Sequence, residues 1–260
     1  MGKRSDRLSM IANLALRGLM VYFGSESLRV SLTNRRDRRF AGKAIALRNV
    51  LLLGGFSMLI PGLYFRSRRR TAFPWQSDAL LLSIPVVDMA GNSFDLYNRY
   101  GVFDSFAHFY GNVASGWLLT LAMLGRGRAD DMLRVVVAAT GTTFCHVLLE
   151  VQEYWTDVLF GTRNVEGLED TEGDILSGLL GAVTGVALAE ILSRGRMGAR
   201  IMDEAQRLAC SLDLAAAPMP PPTRIQLTPT PSLHLVDDAV AAVWHPSTEG
   251  NDAEGETLAP

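Results

Sequence analysis

Cysteine is scarce in this 260-residue chain, with only Cys145 and Cys210 present. One lies in an apolar run and the other in the polar C-terminal part, so a disulfide framework is not expected. Cys145 reads as a small buried hydrophobe in a helix core. The sequence also lacks a glycine-rich loop of the kind that cradles phosphates. Its aromatic residues do not form stacking platforms: Trp75, Tyr97, Tyr100, Tyr154 and Trp155 fit an interfacial belt, and Trp117 falls inside an apolar run. No nucleic-acid partner is expected. No inverted repeat is discernible, which counts against a secondary-transporter architecture. Excess charge of one sign is missing as well, since 25 Lys and Arg offset 27 Asp and Glu. The net value of -2 says little, but the distribution of the charges says more.

The chain does have long apolar runs, several close to or above the roughly 20 residues that cross a bilayer. The first is Leu8–Gly24, interrupted by Asn13 and Arg17 and followed by no convincing cleavage site, so it reads as a retained helix. Ser9, Asn13 and Arg17 recur every four residues and share a face, which suits either a spanning or an interfacial helix. The second run is Ala44–Phe65, where Gly54-Gly55 and Pro61-Gly62 also permit a re-entrant piece. Asp78–Tyr97, Val102–Leu124, Met132 to about Trp155, and Asp174–Ser193 follow. The expected fold is all-α, a polytopic transmembrane bundle of about six helices. It divides into an N-terminal helix and basic connector (1–43), the bundle (44–200) and a Pro-rich, acidic, largely disordered cytoplasmic tail (201–260). Within the tail, Leu233–Trp244 forms a lone apolar patch.

Arginines crowd the connectors at Arg66–Arg70, Arg126 and Arg128, and Arg194–Arg200, while carboxylates gather around residues 150–174. The positive-inside bias therefore places both termini in the cytoplasm and the acidic loop outside. One connector conflicts with this assignment. Arg29, Arg35, Arg36, Arg38, Arg39 and Lys43 would lie outside if both of the first two helices cross.

Ionisable groups at membrane depth mark a functional site by default. At 100° per residue, His146, Glu150, Glu153 and Asp157 fall on one narrow stripe of the fifth helix. Asp88, Asn92 and Asp95 repeat that spacing at the end of the third, and Asp104 and His108 open the fourth one turn apart. Asp170 and Asp174 open the sixth if that helix begins before Glu172. Four helix ends thus carry carboxylates or imidazoles at one bilayer face. Such a cluster needs cations, from Arg99, Arg163 and the histidines or from one divalent metal (Zn, Mn, Mg or Fe). Asp104, His108, His146, Glu150 and Asp174 are the candidate metal ligands, with Glu153 and Asp170 as candidate acid/base groups. Asp88, Asn92, Asp95 and Asp157 are further pocket candidates. A carboxylate at headgroup level with no ligand accounts equally well for Asp104, Asp157, Asp170 and Glu172, and Asp174 also suits a helix N-terminus. Gly181 and Gly185 form a small-xxx-small pair that lets helices approach closely.

Three motifs in this region resemble a known family. They are Asp104-x3-His108-Phe109, Glu150-x2-Glu153, and Glu169-Asp170-Thr171-x2-Asp174 running into Gly178-x2-Gly181-x3-Gly185. Together they are similar to the YjdF-like family of uncharacterised bacterial inner-membrane proteins and, more distantly, to VanZ-like proteins. The resemblance covers about Asp88 to Ala189 and implies a multi-pass α-helical protein of the bacterial cytoplasmic membrane. It implies no reaction. Three functions compete on the residues: a metal-dependent enzyme acting on a lipid or envelope precursor, a proton- or cation-coupled transporter, and a non-catalytic membrane protein.

Overall fold

The computed structural model describes residues 2–33, 37–40, 45–66, 72–127, 130–165 and 167–212. Chain contacts divide the protein into Met1–Ala217 and Pro218–Pro260, and every described residue belongs to the first unit. Arg35, Arg36, Lys43, Arg68–Arg70, Arg128 and the tail beyond Leu212, with its Leu233–Trp244 patch, lie outside the described residues.

Among the described residues there are eight helices and no strand: α1 (Gly2–Thr33), α2 (Ile45–Arg66), α3 (Trp75–Ser93), α4 (Leu96–Arg99), α5 (Phe103–Leu124), α6 (Asp131–Phe160), α7 (Leu168–Arg194) and α8 (Gly198–Ser211). Four of them are long and apolar enough to cross a membrane: α1, α2, α6 and α7. The helix α2 runs unbroken through Gly54-Gly55 and Pro61, so these residues do not break the segment in two. The helices α3 and α5 carry several of the buried polar groups, among them Asp78, Asn92, Asn112 and Thr120. Their outer neighbours present leucines and valines such as Leu8, Leu51, Leu148 and Val183 to the surroundings.

The interior contains polar groups that are satisfied helix to helix, as a low-dielectric environment demands. Arg17 and Asn13 of α1 both donate to the fully buried Asp78 of α3, the latter at 2.7 Å. At the same end of the bundle, Arg134 of α6 holds Glu190 of α7, with Nη2 to Oε2 at 2.9 Å. Close packing is concentrated between α5 and α7. There Gly181 faces the Phe109 carbonyl and Gly185 faces the Val113 carbonyl, as the small-xxx-small spacing leads one to expect.

Two sequence expectations change. Cys145 is exposed on the outside of α6 rather than buried, and Cys210 is the buried cysteine. The third apolar run does not continue as one helix to Tyr97. Asp95 adopts a left-handed conformation (φ 62°), a region that Asp tolerates better than most residues, and α4 starts after it.

Residues 198–211, which straddle the expected boundary at 200, form α8. Its apolar face, with Ile201, Ala205 and Leu208, packs against Ile60 and Leu121. Glu204 fastens this helix to α3: its Oε1 accepts from Ser77 N and Ser77 Oγ, both at 2.8 Å, at the start of α3 where backbone N–H groups lack helical partners. Burial raises the Glu204 pKa. The folded state therefore favours the protonated form, and stability falls as pH rises from the ordinary glutamate range through the raised value. Glu204→Gln keeps an acceptor and removes this pH dependence. Glu204→Ala strands two donors and should cost about 2 kcal/mol. Thermal melts of both variants across pH check the pair.

Candidate functional site

The ends of four helices meet at one level of the bundle: the C-terminal ends of α3 and α6 and the N-terminal ends of α5 and α7. The order follows from antiparallel packing of α6 against α5 and α7, seen at one end in His146 beside Asp174 and at the other in Arg134 beside Glu190. Five residues singled out by the sequence come together here. His108 of α5 lies at the centre. Its Nε2 is 3.4 Å from Asp104 Oδ1 and 3.7 Å from Asp174 Oδ2, while its Nδ1 is 3.6 Å from Glu150 Oε1. The two imidazoles of His108 and His146 are tilted against each other with centroids 4.9 Å apart.

Two overlapping groups have the spacing of metal ligands: Asp104, His108 and Asp174, and His108, His146 and Glu150, with ligand atoms mutually within 4.8 Å in each. Hydrogen bonding distinguishes them. His146 Nε2 lies 2.9 Å from the backbone oxygen of Asp174. A carbonyl can only accept, so Nε2 carries the proton and is not available as a ligand. The edge of the His146 ring is pressed against Gly178, where a Cβ would collide with it. In the other group the side chains of His108 and Asp174 are 11% and 6% exposed and that of Asp104 is 37% exposed. The group is therefore buried at His108 and Asp174 and accessible at Asp104.

Glu150 Oε1 is buried and has no hydrogen-bond partner, which costs about 1–3 kcal/mol for a buried polar atom. It faces His108 Nδ1, the nitrogen turned away from Asp104 and Asp174. A carboxylate on this side of an imidazole is placed to orient the ring, here at 3.6 Å with no hydrogen bond formed. Glu153 lies one turn further on and within electrostatic reach of Glu150, His108, Arg48 and Asp104. Asp170, in the first turn of α7, reaches Asp174 and Glu150 in the same way.

The other candidates are placed differently. Asp88 accepts from Arg48 Nη2 at 2.6 and 2.8 Å and from the Tyr97 hydroxyl at 2.9 Å, and Asn92 packs onto it. Through Arg48, which also reaches Glu153, this pair borders the cluster rather than joining it. Asp157 clasps the loop after α6, accepting from Thr162 Oγ1 (2.6 Å), Asn164 N (2.8 Å) and Val165 N (2.9 Å). Asp95 pairs with Arg38 and with Arg99, the latter at 3.4 Å. Sequence reading missed Arg48, although a lone arginine inside the Ala44–Phe65 apolar run is the signal that flagged the acidic residues.

Residues 32–195, more than half of the chain, match the family described as predicted membrane protein (DUF2238). No curated protein and no solved structure matches the chain. The chain belongs to the DUF2238 family of predicted membrane proteins.

Proposed function

We propose that this membrane protein is a metal-dependent enzyme whose ligands are Asp104, His108 and Asp174, acting on a lipid or envelope precursor at the outer face of a bacterial cytoplasmic membrane. One observation carries the reading: both nitrogens of a buried imidazole face carboxylates, two on the Nε2 side and one on the Nδ1 side. Ligands about 2.1 Å from an ion lie roughly 3.4 Å apart at a tetrahedral angle, and the Nε2 contacts here are 3.4 and 3.7 Å. Two carboxylates and one imidazole suit Zn, Mn, Mg or Fe. A divalent ion so held would activate a water or polarise a phosphoryl oxygen.

This chain's own residues supply the rest. Glu150, whose unpartnered Oε1 lies 3.6 Å from His108 Nδ1, favours the tautomer that carries its proton on Nδ1 and leaves Nε2 free. His146 acts as a positioning group, holding the first turns of α7 through the Asp174 carbonyl. Glu153 and Asp170 are the acid/base candidates, because each lies beside the cluster without a ligand role. The opening at Asp104 faces the level of the helix ends, where a lipid headgroup can enter.

Six crossings, by α1, α2, α3, α5, α6 and α7, put the termini on the side opposite the cluster. In the basic connector that argues against this orientation, two described arginines are engaged locally. Arg39 donates to Glu26, Asp37 and the Ser93 carbonyl, and Arg38 to Asp95, so these arginines are anchored by carboxylates at the acidic face. Arg66, Arg126 and Arg194–Arg200 stand at the other face, which is the cytoplasmic one in this reading.

Elemental analysis of chelator-free purified protein tests the proposal. About one equivalent of a divalent metal is expected per chain. Absence of stoichiometric metal after incubation with each of the four ions, in a protein that still melts cooperatively, sinks it and favours proton- or cation-coupled transport or a purely structural network.

A further inference from the structure

Away from the His/carboxylate cluster, a cleft of about 340 Å³ opens at the C-terminal end of α3. Three arginines line it, Arg38, Arg39 and Arg99, together with Ser93, Phe94 and the carboxylates of Asp37 and Asp95. We propose that this cleft binds the phosphate of an anionic phospholipid headgroup.

The arginines differ in what they have left to offer. Arg39 commits four of its N–H donors to Glu26, Asp37 and the Ser93 carbonyl and serves as the frame. Arg38 and Arg99 share one carboxylate, Asp95, committing only Nη2 and Nε respectively. A guanidinium has five N–H donors, so both keep donors for another acceptor. Counted with Glu26 and Asp37 on Arg39, the three guanidinium groups face three carboxylates, so the attraction rests on the uncommitted donors of Arg38 and Arg99 and not on net charge. Asn98 and the two guanidinium groups hold the Asp95 carboxyl below the usual carboxylate range, so the clamp stays charged at neutral pH.

A second observation points to a ligand. Ser93 is 94% buried by its relative exposure of 6%, lines the cleft, and its hydroxyl has no partner. A tetrahedral anion held by two guanidinium forks would supply the missing acceptor, and charge-assisted bonds of this kind are the strong ones. The place fits a lipid. The cleft lies beside the last turn of α3 and the segment between α1 and α2, both long and apolar enough to cross, so it falls at headgroup level. Phe94, 57% exposed on the rim, presents an apolar surface to acyl chains.

The test uses the full-length chain in neutral-detergent micelles, titrated separately with dioleoylphosphatidylglycerol, dioleoylphosphatidylcholine and inorganic phosphate. Thermal shift gives the apparent affinity. Phosphatidylglycerol should bind and phosphatidylcholine should not, and Arg38→Gln/Arg99→Gln should weaken phosphatidylglycerol at least about tenfold. Ser93→Ala leaves every ion pair intact and should weaken it by about threefold, so it decides the matter if the double variant fails to fold. Equal shifts with the two lipids, or wild-type affinity in Ser93→Ala, overturn the proposal. Saturation by inorganic phosphate that phosphatidylglycerol cannot displace assigns the cleft to a soluble phosphate and overturns it as well.

Discussion

Gly181→Ala is expected to lower the stability of the bundle by about 3 kcal/mol, at the upper end of what overpacking a close contact costs. An added Cβ would collide with the Phe109 carbonyl oxygen, 3.0 Å from its carbon and 3.1 Å from Asn112 Cβ. The obstacle is backbone, so no rotamer change relieves it and α5 must move away from α7. Gly185→Ala meets the Val113 carbonyl in the same way, one turn further along. The protein contains its own control. Nothing lies within 4 Å of a Cβ built at Gly54, which sits on a free face of α2. Gly54→Ala should therefore leave stability unchanged or raise it by up to about 1 kcal/mol through helix propensity. Thermal melts in one detergent compare the three. Equal melting temperatures for Gly181→Ala and Gly54→Ala would mean that α5 and α7 are not in backbone contact. The variant also bears on the site, because Asp104 and His108 ride on α5 and Asp174 on α7. Helix separation should weaken the proposed metal binding along with stability.

That coupling explains why some features were legible in the sequence and others were not. Helix positions follow from apolar runs, and the six expected segments correspond to α1, α2, α3, α5, α6 and α7. The convergence of Asp104, His108, His146, Glu150 and Asp174 was also readable, since rotation and depth along each helix are fixed by its 3.6-residue period. Which helix lies beside which is not fixed by that period. Arg48 therefore gave no hint of pairing with Asp88, nor Arg17 with Asp78, because each pair joins helices whose adjacency depends on the whole bundle. Asp95 and Asp157 share their stripe's spacing, yet they sit where the chain turns. There the local demand for carboxylate acceptors, at Asn98 and Arg38 for the one and Asn164 and Val165 for the other, takes precedence. Helical period predicts a face but stops being informative at the helix end. Cys145 shows the same limit in reverse: one residue before His146, it lies about 100° away and points outward.

His108→Ala is expected to abolish stoichiometric metal binding, the largest functional effect of any single substitution here, because it removes the only group common to both candidate ligand sets. The remaining variants separate those sets. If the ion sits among Asp104, His108 and Asp174, then Asp104→Asn and Asp174→Asn each remove a charged ligand and should reduce affinity severely. Glu150→Gln then alters only the group behind His108 Nδ1 and should weaken binding by about 10- to 100-fold, the usual effect of losing a partner that orients a ligand. If the ion instead sits among His108, His146 and Glu150, the order inverts: Glu150→Gln becomes the severe variant and Asp104→Asn is nearly silent. The first order is expected because His146 Nε2 is engaged with the Asp174 carbonyl at 2.9 Å. Competition against a chelating dye measures all four affinities on one scale. Since Asp174 is a proposed ligand through its carboxylate and meets His146 through its carbonyl, Asp174→Asn should leave the melting temperature nearly unchanged while the proposed metal binding is lost. A fall in both would mean that the carboxylate, not the carbonyl, fixes the start of α7 against α6.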